Sequence, residues 1–166
     1  MSVIANTLSL DANTAGTVSS MLMSVLTFAA AFAASLFAGA ALYINLAEHP
    51  ARLCLDTKAA AMQWAPSYKR ATWLQAPLAV LSAVCGVAAW WLGAGGEWLL
   101  AAMLVGAVVP FTFIVIMPTN HNLLEEGRDL SSAETRELLK RWGRLHAVRT
   151  LLSLLGAAIY LWRLAS

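Results

Sequence analysis

Near the C-terminus, one helical face collects side chains of the types that move protons, hold negative charge and contact aromatic rings. Trp142, His146, Arg149, Ser153, Gly156 and Tyr160 follow one another at spacings of three or four. That spacing puts them on one side of a 3.6-residue helix. The flanking positions, Leu151, Leu152, Leu154, Leu155 and Ile159, suit lipid or core. Arg149 lies about one turn inside the apolar run, where a cation costs about 2.5–3.5 kcal/mol unless it snorkels or is paired. Snorkelling to the headgroups would satisfy Arg149 alone. It gives no reason for a histidine on the same stripe, so the stripe is read as facing the interior of a bundle.

Three other clusters could line the same space. One ends the first apolar run, with Tyr43, Asn45, Glu48, His49 and Pro50. Trp64, Tyr68 and Gln75 share a face at spacings of four and seven. The third apolar run finishes with Pro118, Thr119, Asn120, His121 and Asn122. Tyr and Trp also serve as ordinary interface anchors, and Asn and Pro as ordinary helix terminators. What favours a pocket is that all the clusters fall at the same boundary. His49, His121 and His146 are all the histidines present, and a metal or haem would have to take them from three helices. No HxxxH or HExxH spacing supports that. No GxSxG or Cys–His pairing supports nucleophilic catalysis. Cys54 and Cys85 show neither CxxC spacing nor a shared setting, and are read as free thiols.

Positioning these groups falls to apolar helices. The chain has 166 residues, of which 60% are hydrophobic and 12% charged, and its mean hydropathy is +0.67. Soluble domains carry about 25% charged residues, so a water-facing surface could not be covered. The expected class is an all-α membrane protein, a four-transmembrane-helix bundle in one domain over residues 21–166. A polar, flexible lead occupies 1–20. The helices are expected at about 21–46, 71–91, 98–117 and 132–163, each long enough for a core of about 30 Å. The first is read as a retained helix rather than a signal peptide, since it has no basic n-region. Gly93-Ala94-Gly95-Gly96-Glu97 makes helices two and three antiparallel neighbours, and Trp90, Trp91 and Trp98 flank that turn as an aromatic belt. Ser131 and Glu134 form a capping-box pattern, so helix four is expected to start outside the membrane and run in unbroken. The segment between helices one and two is expected to be a long loop, with a helix of its own and Pro66 and Pro77 as kinks.

Lys and Arg set the orientation. Arg52, Lys58, Lys69 and Arg70 lie between helices one and two, and Arg128, Arg136, Lys140, Arg141 and Arg144 between three and four. The other side carries only Arg163. By the positive-inside rule both termini are non-cytoplasmic, in the cell or inner membrane, and the pocket is on the cytoplasmic side. A net charge of +2 without a basic stripe excludes nucleic acid as a partner. The bilayer is the expected partner, and self-association is open, since Ala30, Ala34, Ala38 and Ala41 could seat a neighbouring subunit.

The runs Pro110-Phe111-Thr112, Met117-Pro118-Thr119-Asn120 and Leu123, followed by Arg141-Trp142, His146 and Arg149-Thr150, resemble the anthrone oxygenase family. Gly39, Tyr43, Glu48-His49-Pro50, Trp64 and Tyr68 fit the same pattern. The resemblance covers nearly the whole chain after the polar lead. It implies a four-helix membrane protein that in some members oxidises polyketide anthrones to anthraquinones with dioxygen. Stripe and resemblance together suggest catalytic roles: His146 as base, with Arg149 and Asn120 as partners of an oxyanion. Trp142, Trp64, Tyr68, Tyr43 and Gln75 would bind a small, apolar, anthrone- or quinol-like substrate. That chemistry requires no cofactor. The alternatives are a non-catalytic binder, transport component or complex subunit, and a haem or metal redox protein using His49, His146 or His121.

Overall fold

The computed structural model describes residues 16–166; most of the polar lead expected over 1–20 lies outside the described residues. These form four long helices: α1 (Gly16–Leu53), α2 (Thr57–Trp91), α3 (Gly96–Leu123) and α4 (Ala133–Ala165). Each is long and apolar enough to cross a membrane. They form an up-down-up-down bundle in which α1 packs on α2 and α4, and α3 packs on the same two. Many large apolar side chains point outward, among them Phe28, Phe32, Val84 and Leu155. A fold that leaves these exposed suits lipid as its solvent.

Helix α2 begins at Thr57, fourteen residues before the apolar run, and the expected long first loop shrinks to a turn at Cys54–Asp56. Asp56 caps α2 by accepting from the Ala59 N–H at 2.9 Å. Hydropathy stops at the charges, but the backbone does not. Lys58, Lys69 and Arg70 are exposed on one side while Ala60, Ala61 and Trp64 are buried on the other. The helix runs through both Pro66 and Pro77. Arg136 of α4 closes the turn by donating to the Leu53 and Leu55 carbonyls, the free acceptors at the end of α1. At the start of α4, Ser132 rather than Ser131 is the cap and accepts from Thr135 N–H at 3.1 Å. The Ser131 N–H is instead held by the Asp129 carboxylate at 2.8 Å, which shifts the cap by one residue.

Two helices contain one wide turn each. Ile44–Glu48 in α1 and Thr112–Ile116 in α3 are π-helical. In both, the closing N–H bonds five residues back, His49 to Ile44 and Met117 to Thr112, and the next residue is proline. Proline offers no N–H to the carbonyl four residues before it. The wide turn absorbs that break and re-aims the side chains around it.

Away from these turns, the interior is made of small residues. Ala30, Ala34, Ala38 and Ala41 are buried, so the alanine face expected to seat another subunit is taken up within the bundle. Gly86 of α2 leaves room for Tyr160, whose hydroxyl would lie 1.9 Å from an added Cβ. Gly156 of α4 lies against Val105 and the Ala101 carbonyl of α3. Trp98, expected in the aromatic belt, is 3% exposed and leans on Tyr160 at 5.1 Å between centroids. Trp91, at 78% exposed, does occupy the surface.

Candidate functional site

The site is built where the wide turn of α1 meets the first half of α2 and the middle of α4. The α4 stripe is buried as its spacing requires: Trp142, His146, Ser153, Gly156 and Tyr160 are inside and Arg149 is partly so. Trp142 is the hub. His49 rests on it at 5.1 Å between ring centroids, His146 stacks on it at 4.9 Å, and Trp64 meets it edge-on at 5.8 Å. Tyr68 stacks on Trp64 at 5.1 Å. Trp142 is 4% and Trp64 1% exposed, so protein already covers most of both indoles, although Trp142 still lines a cavity with His146 and Arg149. Together they form a buried aromatic wall.

Three polar groups surround that wall. Asn45, turned towards α4, lies 2.7 Å from His146 Nδ1, donates to the Gly143 carbonyl at 3.2 Å and accepts from Thr150 at 2.5 Å. Arg52, 3% exposed, forms an ion pair with Glu48 and donates to Gln63 and Ser67 of α2. Ser67 also donates to Glu48. His49 turns Nδ1 to Arg52 at 3.2 Å. A guanidinium can only donate, so Nδ1 accepts and the His49 proton sits on Nε2, on the side of the Leu139 carbonyl. His49 fits only because position 143 is glycine: a Cβ there would lie 2.5 Å from the imidazole.

The third group is Arg149. It donates to Gln75 Oε1 at 3.1 Å and lies over the Phe37 ring at 5.6 Å. Its Nε is buried without an acceptor. Among the described residues, no carboxylate lies within ion-pair distance of it. Two cavities share Arg149, Tyr68 and Thr72 in their linings. The polar one, about 10 Å³, is lined by Tyr68, Gln75, Trp142, His146, Arg52 and Arg149. The apolar one, about 90 Å³, runs between α2 and α3 past Phe37, Tyr68, Val108, Phe113 and Met117 to Arg149. A single water fits the first; an aromatic ligand needs both joined and widened.

The expected residues therefore divide. His146, Arg149, Trp142, Tyr68 and Gln75 share one cavity lining. Tyr43 is 63% exposed and outside it. Asn120 is fully buried with both amide atoms unpartnered, but lines neither cavity. His121 is exposed, so the three histidines do not meet. Among the described residues, no group of three or more His, Cys, Asp or Glu side chains could hold a metal ion. Arg52, expected among the loop charges between helices one and two, is instead a buried partner of Glu48. Its spacing of four from Glu48 was the signal that both belonged to one helix. Phe37 and Phe113 gave no signal at all, being apolar residues in apolar runs.

Comparison with known proteins bears directly on this arrangement. The anthrone oxygenase family model matches residues 64–159, which takes in the α2 and α4 halves of the site. The chain belongs to the anthrone oxygenase family. It is 33% identical to the anthrone oxygenase ptaC of Pestalotiopsis fici over 132 residues, 66% of this chain and 90% of that one. To the anthrone oxygenase dmxR16 of a Cryptosporiopsis species it is 30% identical over 140 residues, 79% and 81% of the two chains. A shorter match, 40% over 70 residues, links it to the anthrone oxygenase tpcL of Aspergillus fumigatus and spans 44% of that relative's length and 40% of this chain. No solved structure matches the chain. Asn45, Glu48, His49 and Arg52 precede the stretch matched by the family model, so α1 completes the site from outside it.

Proposed function

We propose that this protein is a membrane-embedded oxygenase that oxidises an apolar anthrone- or quinol-like aromatic with dioxygen. Its family supports an oxygenase in the broad sense. The single observation that carries the finer reading is Arg149, a cation with no carboxylate in ion-pair distance among the described residues, which lines both an apolar groove and a cavity shared with His146. Such a site is complementary to a flat apolar molecule on which negative charge develops. An anthrone is of this kind. Its methylene loses a proton to His146, and the electron pair delocalises onto the ring carbonyl oxygen beside Arg149 and Gln75. The carbanion carbon bonds one end of dioxygen, the peroxide takes back a proton, and loss of water leaves a second carbonyl. Dioxygen is the oxidant, and one of its oxygens leaves in the water.

In this reading the substrate arrives from the bilayer between α2 and α3, where the apolar cavity lies, and parts Phe113 and Met117 from Tyr68. The basic loop ends face the cytoplasm and both termini face away from it. Asn120, outside the cavity lining, is not needed as an oxyanion donor. Oxygen uptake by the purified, reconstituted protein with an anthrone and a quinol tests the reading. His146→Ala and Arg149→Ala should each lower turnover by about a hundredfold or more. Full turnover in both variants would remove these residues from the chemistry.

A further inference from the structure

The hydrogen-bond network around Asn45 determines which nitrogen of His146 can act as the base. The Gly143 carbonyl can only accept, so the amide nitrogen of Asn45 must be the atom facing it, at 3.2 Å. That leaves Asn45 Oδ1 towards α4, where it lies 2.7 Å from His146 Nδ1 and accepts the Thr150 hydroxyl at 2.5 Å. An amide oxygen cannot donate. His146 Nδ1 must therefore carry the proton, and the lone pair is left on Nε2. Rotating the Asn45 amide would set two acceptors, its own oxygen and the Gly143 carbonyl, against each other at the same distance.

We infer that Asn45 is a positioning residue that locks His146 in the Nδ1-protonated tautomer, so that Nε2 is the basic atom of the site. The wide turn at Ile44–Glu48 is what allows this, because it brings Asn45 and His49 together against α4. The two imidazoles that contact Trp142 are then opposite tautomers. His49 holds its proton on Nε2 because Arg52 donates to Nδ1, and His146 holds its proton on Nδ1. Only His146 offers a free basic nitrogen, although both are buried against the same indole. Thr150 steadies the arrangement, since its single hydroxyl proton has Asn45 Oδ1, the Ala41 carbonyl and the His146 carbonyl within reach.

The assignment of a catalytic base rests on the oxygenase reading, but the tautomer does not, so the experiment measures the two separately. ¹⁵N spectra of the full-length, histidine-labelled protein in lipid nanodiscs distinguish protonated from unprotonated ring nitrogens, with the His146 signals assigned by their loss in His146→Ala. The expected wild-type result is a proton on Nδ1. Asn45→Leu should give a mixture of tautomers and lower anthrone turnover by about a hundredfold. Asn45→Asp, which keeps an acceptor towards Nδ1 but gives up the donor to the Gly143 carbonyl, should keep the Nδ1 proton and recover part of the turnover. A wild-type proton on Nε2, or an unchanged tautomer in Asn45→Leu, would overturn the inference. Should Asn45→Leu fail to fold, loss of the Nδ1 proton in Asn45→Asp would overturn it equally. The expected tautomers together with no oxygen uptake by wild type would leave Asn45 in place and remove the oxygenase reading.

Discussion

The bundle has two halves built by different rules. Around Tyr160 the helices approach through alanine and glycine, and the interior holds few polar contacts: Ser82 donates to the Ala30 carbonyl at 2.9 Å, and Tyr160 donates to the Ser82 carbonyl at 3.3 Å. Around Trp142 the helices are spread by aromatic rings, and the gaps are occupied by Arg, Glu, Asn, His and Gln. Without water to hydrate them, polar groups at depth require partners. The loop-side half meets that demand for Arg52 and Glu48 and leaves it unmet at Arg149 Nε, Trp64 Nε1 and Asn120. Among the described residues, the small-residue half leaves only Arg163 Nε buried without a hydrogen bond, 4.0 Å from the Glu97 carboxylate beside the turn. The loop-side half concentrates the unmatched groups, and it is the half that contains the candidate site.

Substitutions in each half should separate these two tasks. The largest stability loss is expected for Glu48→Gln, which leaves Arg52 buried without its counter-ion, at about 3–5 kcal/mol; thermal unfolding in detergent reads it. A loss under about 1 kcal/mol would mean that the ion pair is hydrated. Next comes Gly156→Ala, whose Cβ would lie 2.6 Å from Val105 and 3.1 Å from the Ala101 carbonyl. It should cost about 1–3 kcal/mol by overpacking while leaving turnover per folded molecule unchanged. Gly143→Ala should be comparably destabilising but also lower turnover, because the displaced imidazole of His49 rests on Trp142. Equal behaviour of the two glycine variants in turnover would erase the distinction between the halves. The smallest effect, about 1 kcal/mol, is expected for Tyr160→Phe, which removes one hydrogen bond from the small-residue half.

The α4 stripe was legible because helical period and polarity coincide there: six residues at spacings of three or four in an apolar run have one physical reading. The lower end of α2 was not. Hydropathy averages both faces of a helix, so exposed Lys58, Lys69 and Arg70 concealed the buried face carrying Ala60, Ala61 and Trp64. Tyr43 stands at the expected end of α1 but on its outer side, and composition alone does not say which side of a helix end faces in. The wide turn that brings Asn45 and His49 inward begins at the next residue. Trp98 looked like an interface residue because it borders a turn, yet Gly86 and Tyr160 open a place for it inside.

The sequence by itself determined four apolar helices, their antiparallel order, the buried stripe and the resemblance to an oxygenase family. All of these follow from local period, composition and spacing along one segment at a time. Only the tertiary structure decided that Arg52 is an interior partner of Glu48, that Trp142 is a wall, and that Asn45 joins His146. Those facts depend on which groups from different helices compete for the same few acceptors. That competition exists only once the helices are in contact.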